Sequence, residues 1–433
     1  MADEKNWIRE AMFYHIYPLG FTGAPLQNEG EATAGGRILE VLDWIEHFKE
    51  LGINAIYFGP IFESVSHGYD TTDYYQTDSR LGSKEDFKKV FTALHENGIR
   101  VIVDGVFNHV GRKFFAFLDV QKNLEQSDYK DWFCNLNFSW QSPLGDSFSY
   151  ENWHGAAELV KLNLRNPAVC EHLLGAVGMW MDELGIDGLR LDAADCVDRE
   201  FFKQLHSFTK GKREDFWLMG EVIHGDYARW ANADVLHSVT NYELHKGFYS
   251  SHNDKNYFEI AYSLKRQFGQ GGLYENLCLY NFLDNHDVNR IESLLKQREN
   301  LKNAYTLLYM MPGIPSIYYG SEWGIEGVKG QGMDADLPLR PKLDLEEMCA
   351  KETDLPAHIR ELAKIRQESD AVKYGAYDEV LVRNEQFVFA RRSGEQYKLI
   401  ALNLTDHAET LYFSYQGKEY EVLLEAYTSK IME

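Results

Sequence analysis

The sequence lacks the features that would assign it to a membrane, to an oxidising compartment or to a nucleic acid. No run approaches the roughly 20 apolar residues that a membrane-spanning helix needs, although 44% of the 433 residues are hydrophobic. The five cysteines include no CxxC pair, and an odd number cannot all pair within one chain, which favours a reducing compartment. Acidic residues outnumber basic ones by 67 to 44, and the formal charge of −23 disfavours polyanionic partners.

The amino terminus likewise shows no export signal, because residues 1–7 contain no apolar stretch of the kind found in signal peptides. We therefore expect a soluble, cytoplasmic protein with a neutral or cationic ligand, and with no nucleic acid and no membrane as a partner. Aromatic residues make up 14% of the chain. Part of this excess suits a cleft that stacks rings against flat apolar faces, such as those of sugars.

Short runs rich in β-branched and aromatic residues alternate with longer amphipathic segments, which is the pattern of a parallel sheet wrapped by helices. Strands are predicted over residues 12–17, 55–58, 100–107, 188–192, 216–220, 235–239, 277–282 and 314–318. Eight such strands predict an α/β fold in the form of a closed (β/α)8 barrel, or TIM barrel. Ser83 predicts the start of a helix over 84–97, and Pro167 the start of one over 167–184.

Two segments depart from the barrel pattern. About 58 residues separate His109 from Pro167, far more than a usual loop, which predicts a subdomain inserted after strand three. From about Lys373 the pattern changes to short alternating strands, at 379–383, 387–391, 398–403 and 409–412, which indicates an antiparallel β domain. The predicted division is a barrel over 1–108 and 166–370, an inserted domain over 109–165 and a C-terminal β domain over 371–433.

Four predicted strands end in polar residues, and in barrels of this kind the chemistry lies at that end of the sheet. The four ends read Asp104-Gly105-Val106-Phe107-Asn108-His109, Gly188-Leu189-Arg190-Leu191-Asp192, Gly220-Glu221 and Asp284-Asn285-His286-Asp287. Arg190 and Asp192 lie two apart on a strand, so their side chains point the same way. The guanidinium then favours an ionised carboxylate, which can act as a nucleophile.

Two carboxylates on opposite sides of an acetal can hydrolyse a glycosidic bond, one attacking the anomeric carbon while the other protonates the leaving oxygen. Asp192 and Glu221 follow neighbouring strands, which favours the short carboxyl separation, roughly 5–5.5 Å, of retaining enzymes. Each candidate also has a structural alternative: an ion pair for Asp192 with Arg190, a solvated loop acid for Glu221, a helix cap for Asp287, and core histidines for His109 and His286.

In these four segments, taken in order, the sequence resembles the α-amylase family of glycoside hydrolases, and the resemblance spans nearly the whole chain. It implies that Asp192 is the nucleophile and Glu221 the general acid/base. It also implies that Asp287 binds substrate hydroxyls and supports the transition state.

The same resemblance implies a set of sugar-binding residues. Arg190, His109 and His286 would hold the sugar at the cleavage subsite, and Tyr69, within the similar loop 67–74, would stack on it. Asp336 and Arg340 resemble a pair that binds sugar further from the scissile bond; their alternative is a surface i,i+4 ion pair.

Within the family, residues 117–121, 128–133 and 161–163 resemble the cyclomaltodextrinase, neopullulanase and maltogenic amylase group, which acts on small maltodextrins and often inside the cell. Many members carry an N-terminal β domain that builds a dimer and narrows the active site. Here the first predicted barrel strand begins about a dozen residues in, so we expect that domain to be absent. The oligomeric state and any preference for cyclic substrates stay open.

The residues at the calcium site are a second difference between this chain and its relatives. Secreted α-amylases hold an ion between barrel and subdomain through the asparagine that matches Asn108 and an aspartate just before the segment matching Leu162-Asn163. This chain has Lys161 there, and an ammonium group repels a cation. We expect no calcium at that place, no metal ligand among the candidate site residues and no cofactor, while a calcium site elsewhere in the chain stays open.

The favoured function is hydrolysis, with retention, of α-1,4-glucosidic bonds in maltooligosaccharides, cyclodextrins or related α-glucans through a covalent glycosyl-enzyme intermediate. A 4-α-glucanotransferase shares every motif and differs only in whether water or a sugar hydroxyl resolves that intermediate. A non-catalytic sugar-binding protein is the third hypothesis, and the presence of all three carboxylates disfavours it.

Overall fold

A computed structural model describes residues 7–30, 36–332 and 334–433, and its centre is one sheet of eight parallel strands. In chain order, β1 to β8 are Phe13–Ile16, Ala55–Phe58, Arg100–Gly105, Gly188–Leu191, Trp217–Gly220, Ser238–Val239, Tyr280–Phe282 and Ile314–Tyr318. The neighbour order runs from β6 through β5, β4, β3, β2, β1 and β8 to β7, and a parallel bridge between Thr240 and Tyr280 closes the ring. The predicted (β/α)8 barrel is confirmed.

The barrel strands form where the prediction located them, with ends that differ by a few residues. The third strand ends at Gly105 rather than Phe107, and the sixth contains only Ser238 and Val239. Inside the barrel, large side chains fill the axis and leave no open channel among the strands, since Phe13, Tyr57, Ile102, Trp217 and Met219 are all buried together. Of residues 1–7, for which the sequence predicts no signal peptide, 1–6 lie outside the described residues.

Helices surround this barrel and bury their apolar faces against it. The longer ones are Lys84–Glu96, Pro167–Met179, Arg199–Lys212, Tyr242–Asn253, Tyr257–Phe268, Leu301–Met310 and Leu355–Glu368. Shorter ones are Trp7–Glu10, Pro18–Phe21, Ile45–Glu50, Phe115–Asn123, Ile291–Leu294, Leu345–Cys349 and Asp370–Tyr374. None of the helices in the described part of the chain combines the length and the apolar character that crossing a bilayer requires.

Local sequence explains the two helix starts that were predicted. Ser83 accepts a hydrogen bond from the backbone N–H of Asp86, whose side chain accepts one from the backbone of Ser83, which is a capping box. Pro167 occupies the first turn of its helix, which continues into a single π-helical turn, Trp180–Leu184. Gly185 ends that turn at a φ of 72°, a conformation that glycine adopts without strain.

The segment after β3 forms a small sheet of its own beside the mouth of the barrel. His109–Gly111 pairs with Ala156–Lys161, which also pairs with Asn152–Trp153, and both pairings are antiparallel. A second extension, the hairpin of Phe62–Ser64 and Thr71–Thr77, follows β2. These two extensions stand at the carboxyl ends of the strands and therefore form walls around the candidate site.

The C-terminal part is an antiparallel β domain, as predicted. One sheet contains Ala376–Val382, Gln386–Ser393, Gln396–Asn403 and Ser429–Met432, and a hairpin pairs Glu409–Tyr415 with Lys418–Leu424. Two of these strands, Lys418–Leu424 and Ser429–Met432, were not predicted, because charged residues interrupt their apolar alternation. The division at residues 108, 165 and 370 remains a proposal.

Candidate active site

Three carboxylates follow the carboxyl ends of barrel strands. Asp192 directly follows β4 and Glu221 directly follows β5, while Asp287 lies five residues after β7. The strand ladders continue through the first two: the N–H of Asp192 donates to Gly105 O at 3.1 Å, and the N–H of Glu221 donates to Leu191 O at 2.9 Å. Because the ladders fix both backbones, the two side chains enter the same mouth from neighbouring strands.

Arg190 joins the acids of three strands. Its Nη1 donates to Asp104 Oδ1 at 2.9 Å and to Asp192 Oδ1 at 3.0 Å, and its Nη2 lies 2.9 Å from Glu221 Oε2. The Arg190 side chain is only 4% exposed, so these contacts occur away from bulk water, where charges interact strongly. The predicted pairing of Arg190 with Asp192 is present, but Arg190 is a hub for three carboxylates rather than a partner of one.

Among the described residues, one carboxylate oxygen of Asp192 accepts a hydrogen bond and the other does not. Oδ1 accepts from Arg190, whereas Nε2 of His109 lies 4.0 Å from Oδ2, beyond hydrogen-bond distance. Burial raises the pKa of Asp192 well above its usual range, and the charges of Glu221 and Asp104 add to the rise, while Arg190 opposes it. Arg190 favours the ionised carboxylate as predicted, but burial has the larger effect on the pKa of Asp192, so the prediction that Arg190 decides its ionisation is wrong.

Glu221 is oriented by three donors. Arg190 Nη2 and the backbone N–H of Ala193, at 3.1 Å, both point to Oε2, and the Tyr242 hydroxyl donates to Oε1 at 3.2 Å. Asn285 in turn donates to the Tyr242 hydroxyl at 3.1 Å. Glu221 is therefore held in a defined position and is not a freely solvated loop acid.

Asp287 is held from two sides. His286 Nε2 lies 3.0 Å from its Oδ2, and Arg340 Nη2 donates to its Oδ1 at 2.9 Å. Burial alone would raise the pKa of Asp287, but His286 and Arg340 lower it well below its usual range. Asp287 is therefore a charged group in the mouth of the barrel, and the N–H of Asp287 is itself bound by Asn285 Oδ1 at 2.8 Å.

Tyr69 lies beside Asp104 and His286 in the candidate site. Its hydroxyl donates to Asp104 Oδ2 at 3.1 Å and contacts His286 Nε2, and the two rings are nearly parallel at 9°. The Tyr57 hydroxyl also donates to Asp104 Oδ2, at 2.8 Å. Asp104 thus joins Arg190 to two tyrosines and fixes the position of the guanidinium.

His109 faces the nucleophile candidate as a neutral ring. Burial lowers the pKa of His109 to about 4, so the imidazole is uncharged near neutral pH. Its Nδ1 contacts the Asn108 amide at 3.2 Å, while its buried Nε2 has no hydrogen-bond partner among the described residues. A sugar hydroxyl could satisfy that nitrogen.

Asp336 and Arg340 are part of the same network and not an isolated surface pair. Arg340 is 8% exposed, and its Nη2 contacts Asp336 Oδ2 at 3.1 Å as well as Asp287. Lys329 Nζ lies 2.7 Å from Asp336 Oδ1. The i,i+4 ion pair given as the alternative does exist, but it extends to Asp287 and so belongs to the site.

Sequence reasoning missed three contributors. Asp104 was inside a motif but received no role, and Tyr57 and Tyr242 were not singled out at all. The only signal for Tyr57 was its location in a strand, because its neighbours are apolar. Tyr242 follows β6 and begins a helix, a location that is itself typical of site residues in a barrel.

The calcium position of secreted relatives does not fit a cation in this chain. Lys161 Nζ forms an ion pair with Glu151 Oε1 at 2.6 Å, and Asn135 donates to the other oxygen of Glu151. Lys161 pairs with His109, the neighbour of Asn108, across two strands of the subdomain, so its positive charge would repel a hard cation there. Across residues 7–30, 36–332 and 334–433, no group of three or more His, Cys, Asp or Glu side chains could hold a metal ion.

Comparisons with known proteins agree with this geometry. The catalytic-domain model of the alpha-amylase family matches residues 15–371. A cyclomaltodextrinase of a Bacillus species is 31% identical over 428 residues, which are 94% of this chain and 74% of the relative. An intracellular maltogenic amylase of Bacillus subtilis is 30% identical over 386 residues, which are 85% of this chain and 63% of that protein.

A solved structure extends the likeness to the whole described fold. The cyclic alpha-maltosyl-(1→6)-maltose hydrolase of Arthrobacter globiformis, in complex with the sugar of that name, matches with a TM-score of 0.86 at 26% identity and covers 98% of each chain. Together with three acids at the carboxyl ends of a (β/α)8 barrel, these relatives define the chain as a glycoside hydrolase. It belongs to the α-amylase family, and the predicted similarity to the cyclomaltodextrinase group is confirmed.

Proposed function

We propose that this chain hydrolyses α-1,4-glucosidic bonds in maltooligosaccharides, cyclodextrins or related α-glucans, with retention of configuration. The observation that carries the proposal is that the guanidinium of Arg190 contacts two carboxylates from neighbouring strands. Its Nη1 lies 3.0 Å from Asp192 Oδ1, and its Nη2 lies 2.9 Å from Glu221 Oε2. One cation bridging two carboxylates keeps them close, as a double displacement needs.

The proposed first step begins with Asp192 charged and Glu221 protonated. Oδ2 of Asp192, which accepts no hydrogen bond from the described residues, attacks the anomeric carbon. The bond to the leaving oxygen breaks, that oxygen takes the proton of Glu221, and an ester to Asp192 forms. In the second step Glu221 removes a proton from water, which attacks the same carbon and frees Asp192.

The other residues take binding roles in this proposal. Asp287 carries a negative charge that Arg340 and His286 support, so it can accept hydroxyl donors and stabilise the positive charge that develops on the sugar ring. His109 and His286 bind sugar hydroxyls, and Tyr69 stacks on the ring at the cleavage subsite. Arg190 positions the two reacting carboxylates, and Asp336 with Arg340 binds sugar beyond that subsite.

Substrate class follows from the relatives. Two matched proteins are named cyclomaltodextrinase and maltogenic amylase, and a third was solved in complex with cyclic alpha-maltosyl-(1→6)-maltose. The extensions after β2 and β3 wall the mouth of the barrel, and this favours short chains or small rings over long polymers. The name of one relative includes the word intracellular, which supports our proposal of a cytoplasmic enzyme.

The chemical step is tested by the configuration of the first product. Maltotriose digested in an NMR tube should release its new reducing end as the α-anomer, before mutarotation mixes the two forms. The β-anomer as the first product would contradict a double displacement at Asp192.

A 4-α-glucanotransferase is the second candidate, since it uses the same residues and a sugar hydroxyl in place of water. The same maltotriose digestion distinguishes the two, because oligomers longer than maltotriose accumulate early only when transfer dominates. A sugar-binding protein without activity is the third, and any turnover that the Asp192→Ala change abolishes would exclude it.

A further inference from the structure

Three arginines meet at the amino ends of the barrel strands, on the side opposite the candidate active site. Arg9 precedes β1, Arg366 belongs to the helix Leu355–Glu368, and Arg391 belongs to the strand Gln386–Ser393 of the C-terminal domain. The half-buried Cys278 lies beside them. We call these four residues the lower arginine cluster.

The two inner guanidiniums bind only neutral backbone oxygens. Arg366 donates through Nη1 to Tyr309 O at 2.9 Å and through Nη2 to Gly313 O at 2.6 Å. Arg391 donates through Nη1 to Met310 O at 2.9 Å and through Nη2 to Gly375 O at 2.8 Å. Since Tyr309 and Met310 are consecutive, the two guanidiniums are neighbours. Both residues are about 1% exposed.

No acid in the described part of the chain balances this charge. Within the described residues, none of the three arginines forms a salt bridge, although the chain has 67 acidic residues against 44 basic ones. Burial and then the charge of Arg366 lower the pKa of Arg391 to about 9, and burial lowers the pKa of Arg366 to about 10. Burying a charged group without a partner costs much free energy, so we expect a negative charge to lie beside these arginines.

The helix ends nearby supply only part of that charge. Tyr309 and Met310 close the helix Leu301–Met310, and a helix carboxyl end is equivalent to roughly −0.5 elementary charge. The two buried guanidiniums alone carry a charge of about +2. The helix dipole therefore explains why these arginines contact carbonyls, but it leaves most of their charge uncompensated.

We propose that the lower arginine cluster binds a small inorganic anion of the size of chloride. Nε of Arg366 and Nε of Arg391 are buried donors without a partner, and they are the donors that such an ion would use. Each Nη atom of Arg366 and Arg391 already donates to a carbonyl oxygen, so among the described residues the two Nε atoms are the guanidinium nitrogens without a partner. A monatomic anion needs few donors, whereas phosphate or sulfate has several oxygens to satisfy. Arg9 and Cys278 are only half-buried, so the ion can enter from solvent at this edge of the cluster.

Bromide diffraction tests the site directly in the unaltered protein. Crystals soaked in sodium bromide should show an anomalous peak in contact with the Arg366 and Arg391 side chains, because bromide replaces chloride and scatters anomalously. Electron density at that point without an anomalous signal would indicate water and would overturn the proposal.

Thermal unfolding tests the energetic role of the ion. At constant ionic strength, replacing sodium gluconate by sodium chloride should raise Tm by about 2 °C and then saturate, as expected for a ligand that binds the folded state. Equal Tm values in the two salts would contradict the proposal. A rise with phosphate or sulfate but not with chloride would contradict the assigned class of anion.

Matched variants identify the residues involved. Arg391→Met should lose the chloride dependence, whereas Arg392→Met should keep it, since Arg392 is the next residue on the strand and pairs with Asp378 outside the cluster. If Arg391→Met does not fold, Arg9→Met at the half-buried edge serves instead and should reduce the dependence. A chloride effect that is unchanged in both cluster variants would refute the assignment.

Discussion

Replacement of Glu221 by glutamine isolates proton donation from every other property of the site. Arg190 Nη2 and the Ala193 N–H both donate to Oε2 of Glu221, at 2.9 and 3.1 Å, and the oxygen of a glutamine amide can keep both hydrogen bonds. The amide nitrogen would then face the Tyr242 hydroxyl, now 3.2 Å from Oε1, and that hydroxyl can accept. We therefore expect the fold and the position of Arg190 to be preserved.

The loss of activity should be large. General acid/base catalysis contributes roughly 10²–10⁴ in rate, which corresponds to about 2.7–5.5 kcal/mol of barrier. Turnover of maltotriose, followed by chromatography of glucose and maltose, should fall at least 100-fold, roughly the lower limit of that range. A 4-nitrophenyl maltoside should lose less, because its leaving group departs with little protonation. Tm should change by no more than about 2 °C.

Glu243→Gln is the matched control, because Glu243 is a nearby acid that pairs with Arg266 and does not face the candidate site. Its turnover should stay close to that of the unaltered enzyme. The reasoning fails if Glu221→Gln retains more than a tenth of the original turnover on maltotriose. It also fails if the variant loses equal activity on the activated and the natural substrate, since proton donation would then not be what was removed.

Four further predictions follow from the site. Asp192→Ala should make maltotriose turnover nearly undetectable in steady-state assays, because the oxygens of Asp104 and Glu221, the other two acids that contact Arg190 among the described residues, already accept hydrogen bonds; residual turnover above 1% would contradict its role. Because burial raises the pKa of Asp192, and the charged form attacks, kcat/KM should fall with decreasing pH at a midpoint above the ordinary value of about 3.9; an acid limb at or below 3.9 would argue against this. EDTA should change neither Tm nor activity, since the ammonium group of Lys161 lies where relatives bind calcium and already pairs with the nearby carboxylate of Glu151; a Tm drop reversed by calcium would contradict this. Catalytic efficiency per cleavable chain should be higher on maltotriose to maltoheptaose, or on a cyclodextrin, than on soluble starch, and rapid loss of iodine staining from amylose with little reducing sugar would oppose it.

Much of the barrel was predictable because its strands are apolar runs bounded by polar residues. The run at 55–58 and the run at 314–318 were predicted to the residue, since each is buried on both faces. The sixth strand was predicted over 235–239 but contains only Ser238–Val239. Val235 and Leu236 are fully buried without belonging to the strand, so hydrophobicity alone could not find the strand's start.

The candidate site was predictable where residues stand in a short motif and not where distance in sequence separates partners. Arg190 and Asp192 were paired correctly because strand geometry fixes residues two apart. The contact of Arg340 with Asp287 spans 53 residues and joins two loops, so no local rule predicts it. The effect of burial on Asp192 was also missed, because a sequence shows which charges are near in the chain but not how much water is excluded.

The pairing of the inserted segment with itself has a consequence for protein engineering. Gly111 stands opposite Leu159 on adjacent strands, so the chain leaves the sheet and returns to it at nearly the same point. The intervening stretch can in principle be exchanged for that of a relative without moving the barrel, because closing a longer or shorter excursion between fixed ends costs little. Since His109 lies two residues before this junction, a graft between Gly111 and Leu159 would exchange the wall of the cleft while His109 and the three carboxylates stay those of this chain.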